Sequence, residues 1–381
     1  MVPAITTKRF PANSGDLIYL APGAALNGSF ALNHVKDVKI FGRGLLYNPG
    51  HAIDLDGANN IEVSDLIIVN DEKEDAARLM NIRKSEHVTV KDVSGFTAGK
   101  WADGLNINTS RHITIDGGYL RVSDDAVVVY TVTDCPICRE RPIRPVGPPS
   151  AQQPADTFDI KVRNLTIWND VAHSLFISYF GDQDSPRTVS DVTFENIDVV
   201  NFDEDVLSAD GVISLFSGNA TLIKNITFSD INIHRIEEGR LFNIVAGQSM
   251  KTITSAKANT KPGRGIENVL IRNVSFDGEG MPGRSIITGM PPGTEIKDLK
   301  IENLHIENNL ISSAEEAEVK VGPYVSGSPS VKARITKDVL GLTYHQTPKG
   351  EVHPYRARQL VFSYSDPIHS FTLTFDENTF S

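Results

Sequence analysis

The chain has 381 residues, 40 % of them hydrophobic and 22 % charged, which is enough to bury a large core and ordinary for a globular protein. A formal net charge of −11 argues against nucleic acid or an anionic membrane surface as a partner, since both attract basic proteins. It also mildly disfavours a polyanionic substrate, unless a local basic patch overrides it, and no apolar run approaches the roughly 18–20 residues that span a bilayer.

Read in chain order, the sequence repeats itself. Residues 61–68 read IEVSDLII and 88–93 read VTVKDV. The pattern returns at 160–167 (IKVRNLTI), 192–199 (VTFENIDV), 226–233 (ITFSDINI), 269–276 (VLIRNVSF) and 299–306 (LKIENLHI). A weaker copy at 113–118, ITIDGG, lacks the polar corner. Each copy holds two short alternating stretches, the signature of strands with one buried face. The Asn or Asp between them marks a corner, because those side chains tolerate left-handed backbone. The corners fall at 65, 92, 164, 196, 230, 273 and 303. Unequal intervals around a constant corner suit a solenoid whose loops vary on one side.

The predicted fold is all-β, a single-stranded right-handed parallel β-helix of about ten rungs, with residues 1–310 forming the helix and 311–381 a C-terminal capping segment. The cap covers strand edges that an open solenoid end leaves unpaired. Residues 134–157 carry six prolines with Cys135 and Cys138, and read as a long surface loop. That C-x-x-C pair has neither the further ligands of a zinc site nor a βαβ context, so it takes no catalytic role.

Two segments carry the chemistry. Trp101-Ala102-Asp103-Gly104 and Ser123-Asp124-Asp125-Ala126 place three carboxylates about one rung apart in strand-like sequence. Stacked rungs bring them together at about 4.8 Å. Acids so close cannot all ionise freely, so one holds a proton while another acts as base. Glycosidic bond hydrolysis needs that division. His173, on the strand after the proline-rich insertion, stacks over the Asp pair if the insertion loops out. Trp101, Tyr130, Trp168, Tyr179 and Phe180 offer aromatic faces for sugar rings, and Trp101, Tyr130 and Tyr179 are the candidate substrate-binding residues. Six N-x-S/T sequons begin at Asn27, Asn108, Asn164, Asn219, Asn225 and Asn273. Three of them (Asn164, Asn225 and Asn273) lie in or beside the repeat, which explains them at least as well as glycosylation does.

These residues resemble the polygalacturonase clan of glycoside hydrolases over roughly residues 15–310. Its parallel β-helices carry Asn-Thr-Asp, then Asp-Asp about one rung on, then Gly-His-Gly. Here 101–103 (WAD), 123–125 (SDD) and 172–181 (AHSLFISYFG) stand in those places. The segments 17–24 (LIYLAPGA) and 41–47 (FGRGLLY) also look like the clan, in particular its dextranase and isopullulanase branch. The resemblance implies a hydrolase with Asp124 as general acid, Asp103 and Asp125 activating water, inversion at the anomeric carbon, and His173 beside them.

Pectin-cleaving members add an Arg-Ile-Lys segment that grips galacturonate carboxylates. At that place residues 211–216 read GVISLF, without a basic residue. The expectation is therefore a neutral glycan such as an α-glucan, with a pectin-type polygalacturonase, a polysaccharide lyase or a non-catalytic glycan-binding β-helix as alternatives. No cofactor or metal is expected, and the partner is a polysaccharide or oligosaccharide. The amino terminus lacks the basic head and apolar core of a signal peptide; the expected location is secreted or periplasmic, with the leader absent from this chain.

Overall fold

The computed structural model describes residues 8–47, 50–70, 76–132, 156–178, 186–204, 211–247, 262–280, 282–289, 294–322 and 325–326, with the pairs 362–363 and 372–373. Among these residues there are strands and no helix, hence no helix long and apolar enough to cross a membrane. The strands wind into a right-handed parallel β-helix, the hand that parallel crossovers almost always take.

One stack forms the sheet that later carries the site. It runs through Lys8–Pro11, the second half of Ala25–Asn33, His51–Asp56, Arg78–Arg83, Asp103–Asn108, Val127–Tyr130, Leu175–Ile177, Gly211–Ser217, Arg240–Ala246, Ser285–Thr288 and Val319–Val321. The other stack holds the long strands that contain the repeat. Its register places Val38, Ile61, Val88, Ile113, Ile160, Val192, Ile226, Val269 and Leu299 in one column. All nine are buried. The repeat exists because each apolar residue must meet its equivalent one rung away.

Every expected corner, from Asp65 through Asn303, has left-handed backbone, with φ between 50° and 62°. In the weak copy Gly117 takes the same conformation. The corner side chains also bond each other: the Asn196 amide donates to Asn164 (2.7 Å), Asn273 to Asp230 (2.9 Å) and Asn303 to Asn273 (2.9 Å). A second corner went unread in the sequence. Asp37, Asn60, His87, His112, Asp159, Asp191, Asn225, Asn268 and Asp298 each directly precede the first apolar residue of a long-strand segment, and all have φ near 55°. Asn225 donates to Asp191 and Asn268 to Asn225, both at 2.9 Å. The amide nitrogens of the sequon residues Asn164, Asn225 and Asn273 are thus all engaged in ladders.

Parallel pairing continues past residue 310, to Val319–Val321, after Asn309–Leu310 turns back antiparallel on Ile296–Ile306. Most of the segment read as a cap, and the Cys135/Cys138 loop, lie outside the described residues. Inside the helix Phe194 and Phe228 are fully buried and stack with ring centroids 4.9 Å apart. Truncating Phe228 to Ala should cost about 3–5 kcal/mol, the usual loss for a buried aromatic. A lowered denaturant midpoint in equilibrium unfolding checks this.

Candidate active site

At the start of each strand in the site sheet, the residue two positions before the first core residue occupies a common column. The register sets Leu105 over Val127, Leu175, Ile213 and Phe242 in turn. Two residues earlier in each strand stand Asp103, Asp125, His173, Gly211 and Arg240, with Arg78 on the rung before Asp103. Backbone bonds confirm the alignment: Gly104 N–H donates to the Asp125 carbonyl and Ala126 N–H to that of His173, each at 2.8 Å. Gly104 permits this approach, since a Cβ there would lie 2.3 Å from the Ala126 carbonyl oxygen. Asp103 is therefore level with Asp125, and Asp124 lies one residue earlier, at the corner. His173 falls in the column, although 48 residues separate it from Asp125.

The three carboxylates each offer an oxygen within 4.8 Å of the others. Asp103 is the buried one; its Oδ2 accepts from Arg78 Nε at 2.9 Å and from Asn106 Nδ2 at 2.8 Å. Asp125 Oδ1 meets His173 Nδ1 at 2.5 Å. Asp124 Oδ1 accepts the Asp125 N–H (2.9 Å), and its carbonyl accepts from Asn169 (3.0 Å). Burial pushes the Asp103 carboxyl above its ordinary value; Arg78 opposes this and the Asp125 charge adds to it, leaving the net shift upward. A shared proton among such close acids belongs to the cluster rather than to one residue. On distance alone the trio could ligate a hard cation, but Arg78 and His173 already hold one oxygen each of Asp103 and Asp125.

His173 is held from two further sides. Its ring stacks on Phe176 (centroids 3.7 Å apart) and meets Phe216 edge-on at 5.8 Å. These rings belong to a small apolar cluster on the outward face of the site sheet, with Val128, Tyr130, Val132 and Val245. The preceding residue, Ala172, is left-handed (φ 67°), and its N–H donates to the buried Glu204 carboxylate at 3.1 Å.

Of the aromatic candidates, Trp101 is half exposed in the turn before Asp103, with Lys100 Nζ 4.1 Å from its ring centre. Tyr130 is packed away in the outward apolar cluster, and burial raises the pKa of its hydroxyl. Trp168 donates to Asp170 and stacks against Arg121, also paired with Asp170. Tyr179 and Phe180 lie outside the described residues. The sequence reading missed Arg78, Asn106, Glu204 and Arg240. Arg78 and Arg240 were findable as charged residues two places before a buried apolar one, at the same strand position as Asp103. Glu204 had no such signal.

Two substitutions separate positioning from packing. Arg78→Met removes the charge that lowers the Asp103 pKa, so the acid limb of the pH profile of kcat/KM should move to higher pH. Glu204→Ala strands the buried Ala172 N–H and should cost about 1–3 kcal/mol, whereas Glu204→Gln keeps an acceptor and should lose less. Thermal denaturation of both variants reads that difference.

No curated protein matches this chain. Among solved structures it is similar to the polygalacturonase of Erwinia carotovora ssp. carotovora, at 10 % identity over 82 % of this chain and 85 % of that one, with a TM-score of 0.49. The endo-xylogalacturonan hydrolase of Aspergillus tubingensis is similar at 9 % identity, over 84 % and 91 % of the two chains (TM-score 0.48). The catalytic domain of a GH87 alpha-1,3-glucanase is similar at 14 % identity, over 78 % and 58 % (TM-score 0.39). The family model of glycosyl hydrolases family 28 matches residues 10–321, the stretch that holds the carboxylates, His173 and nearly the whole β-helix. The chain belongs to glycosyl hydrolases family 28 and is a glycoside hydrolase.

Proposed function

We propose that this glycoside hydrolase cleaves an acidic polysaccharide of the pectin type, by metal-independent acid–base catalysis with inversion. The observation that carries the chemistry is the meeting of Asp103, Asp124 and Asp125 within 4.8 Å, with Arg78 and His173 gripping two of them. Asp124, the acid at the corner, protonates the leaving oxygen. Asp103 and Asp125 orient and deprotonate a water, and His173 fixes the Asp125 carboxylate. A retaining mechanism needs only two carboxylates, one of them a free nucleophile. Here a third acid stands in the cluster and both base candidates have an oxygen tied to a cationic or imidazole partner, which favours water activation. The mutual spacing is nearer that of a retaining pair, so the anomer formed first is the deciding observation.

On substrate, family membership supports the pectin-type alternative over the neutral α-glucan expected from the sequence. That expectation rested on the missing basic residue at 211–216, and Arg240 stands on the next rung of the same column. Trp101 is the exposed aromatic face beside the acids among the described residues. An extracellular polymer as substrate goes with a secreted or periplasmic place of action.

Reducing-sugar release from polygalacturonate, dextran, pullulan, starch and β-glucan, with EDTA present, tests the reading. Turnover is expected on polygalacturonate and should fall about 10²–10⁴-fold in Asp124→Asn, the weight of a general acid. Turnover confined to an α-glucan would restore the neutral-glycan reading, and NMR showing a retained anomer in the first product would overturn inversion.

A further inference from the structure

Buried polar side chains at the strand ends of the other stack reach into the turns that carry the acids. The register sets Asn70, Thr97, Val122 and Asn169 in one column, each the last residue of its strand and each fully buried. A buried turn needs its polar groups bonded, and Asn70 meets that need on a single residue. It accepts the Gly50 N–H at 3.2 Å and donates to the Gly50 carbonyl at 3.0 Å. Thr97 instead joins two rungs. Its hydroxyl donates to the Ala102 carbonyl at 2.8 Å and accepts the Ser123 N–H at 3.1 Å. Those two residues directly precede Asp103 and Asp124. Asn169 works from the far side: its amide donates to the Asp124 carbonyl at 3.0 Å and also to the Val171 carbonyl, two places before His173. The rung of Asp124 itself offers Val122 in this column, an apolar side chain that cannot bond a turn. The corner bearing Asp124 is therefore clamped by the rungs on either side of it, and Ser123 Oγ adds a bond to the Gly99 carbonyl at 2.5 Å.

We propose that Thr97 and Asn169 are positioning residues that fix the Asp124 carboxyl against Asp103 and Asp125 by holding its backbone from both sides. The proposal rests on the reading of Asp124 as general acid and is independent of which sugar is cleaved. A hydroxyl gives one proton and an amide nitrogen two, so the bonds named use every donor of these two side chains. Asp124 Oδ1 is turned back on the Asp125 N–H at 2.9 Å, so the carboxyl moves with the backbone of the corner. A displacement of about 1 Å at a reacting group can cost about 10²-fold in rate, and a lost clamp acts on that scale.

The test compares wild type, Thr97→Val, Thr97→Ser, Asn169→Leu, Asn70→Leu and Asp124→Asn on two substrates. One is the polymer of the panel that wild type cleaves; the other is a dinitrophenyl glycoside of that polymer's disaccharide, whose leaving group needs little protonation. Thermal melting of each variant controls for folding. Thr97→Val and Asn169→Leu should each lower kcat on the polymer about 10–10²-fold with KM near the wild-type value. Both should lose far less on the dinitrophenyl glycoside, as Asp124→Asn should, because only the general-acid step is impaired. Thr97→Ser keeps the hydroxyl and should recover most of the rate. Asn70→Leu, an equally buried change in the same column away from the acids, should keep its kcat. Ser123→Ala removes only the bond to Gly99 and should give a smaller loss of the same selectivity, which keeps the idea testable if the larger changes do not fold. Equal losses on both substrates, or a wild-type kcat on the polymer for Thr97→Val and Asn169→Leu, would overturn the positioning role while Asp124→Asn still marks Asp124 as the acid. If Asp124→Asn itself loses equally on both substrates, the general-acid reading has failed and the proposal falls with it.

Discussion

In-register stacking of rungs about 4.8 Å apart is the constraint on which everything else in this molecule depends. Each side chain sits over its equivalent from the neighbouring turn, so a residue suits its place only if its column suits it. Apolar columns such as the one from Val38 to Leu299 fill the interior. Polar corner columns bond along themselves, as Asn164, Asn196, Asp230 and Asn273 show. The left-handed backbone of those corners is strained for most residues and mild for Asn and Asp, which is why the two types dominate there.

The same constraint makes an acidic column hazardous. Two like charges one rung apart repel by about 3–4 kcal/mol at an effective dielectric of about 20. Asp103 and Asp125 stand in that relation, and the column meets it with Arg78 on the outer side of one and His173 on the outer side of the other. The remaining strain appears as the raised Asp103 carboxyl, since burial outweighs the help from Arg78. A carboxylate with raised proton affinity is the stronger base toward a water, the role proposed for Asp103. The stacking that builds the fold therefore also prepares the chemistry.

Most of the fold was legible in the sequence because the stacking writes itself as repetition. All seven corners read from the repeat are left-handed in the structure, and the rungs at Gly42 and Gly117 carry glycine in place of Asn or Asp. The second corner was equally regular but carries His as well as Asn and Asp, so residue type alone did not reveal it. Asp103, Asp124, Asp125 and His173 were legible as an ordered set, and the structure brings them together. Their partners were not. Arg78 precedes Asp103 by one rung and reads in isolation as a surface charge, while Glu204 reaches Ala172 from a rung whose spacing to it the repeat does not fix. Tyr130 looked like a sugar platform in a strand of unknown facing; alternation puts it on the outward face, where it is buried among Phe176, Phe216 and valines.

The column also separates two things that most enzymes tie together, the path of the chain and the position of its reactive groups. Asp125 and His173 touch across 48 residues of sequence, while Asp103 and Asp125 stand on neighbouring rungs of the site sheet, linked through the strand Arg111–Val122 of the other stack. Lengthening a crossover leaves the rung spacing as it was. Lineages built on such a coil can rebuild the walls around the acids, turn by turn, while the acids themselves keep their places, and the sugar chain admitted becomes a property of the crossovers more than of the sheet.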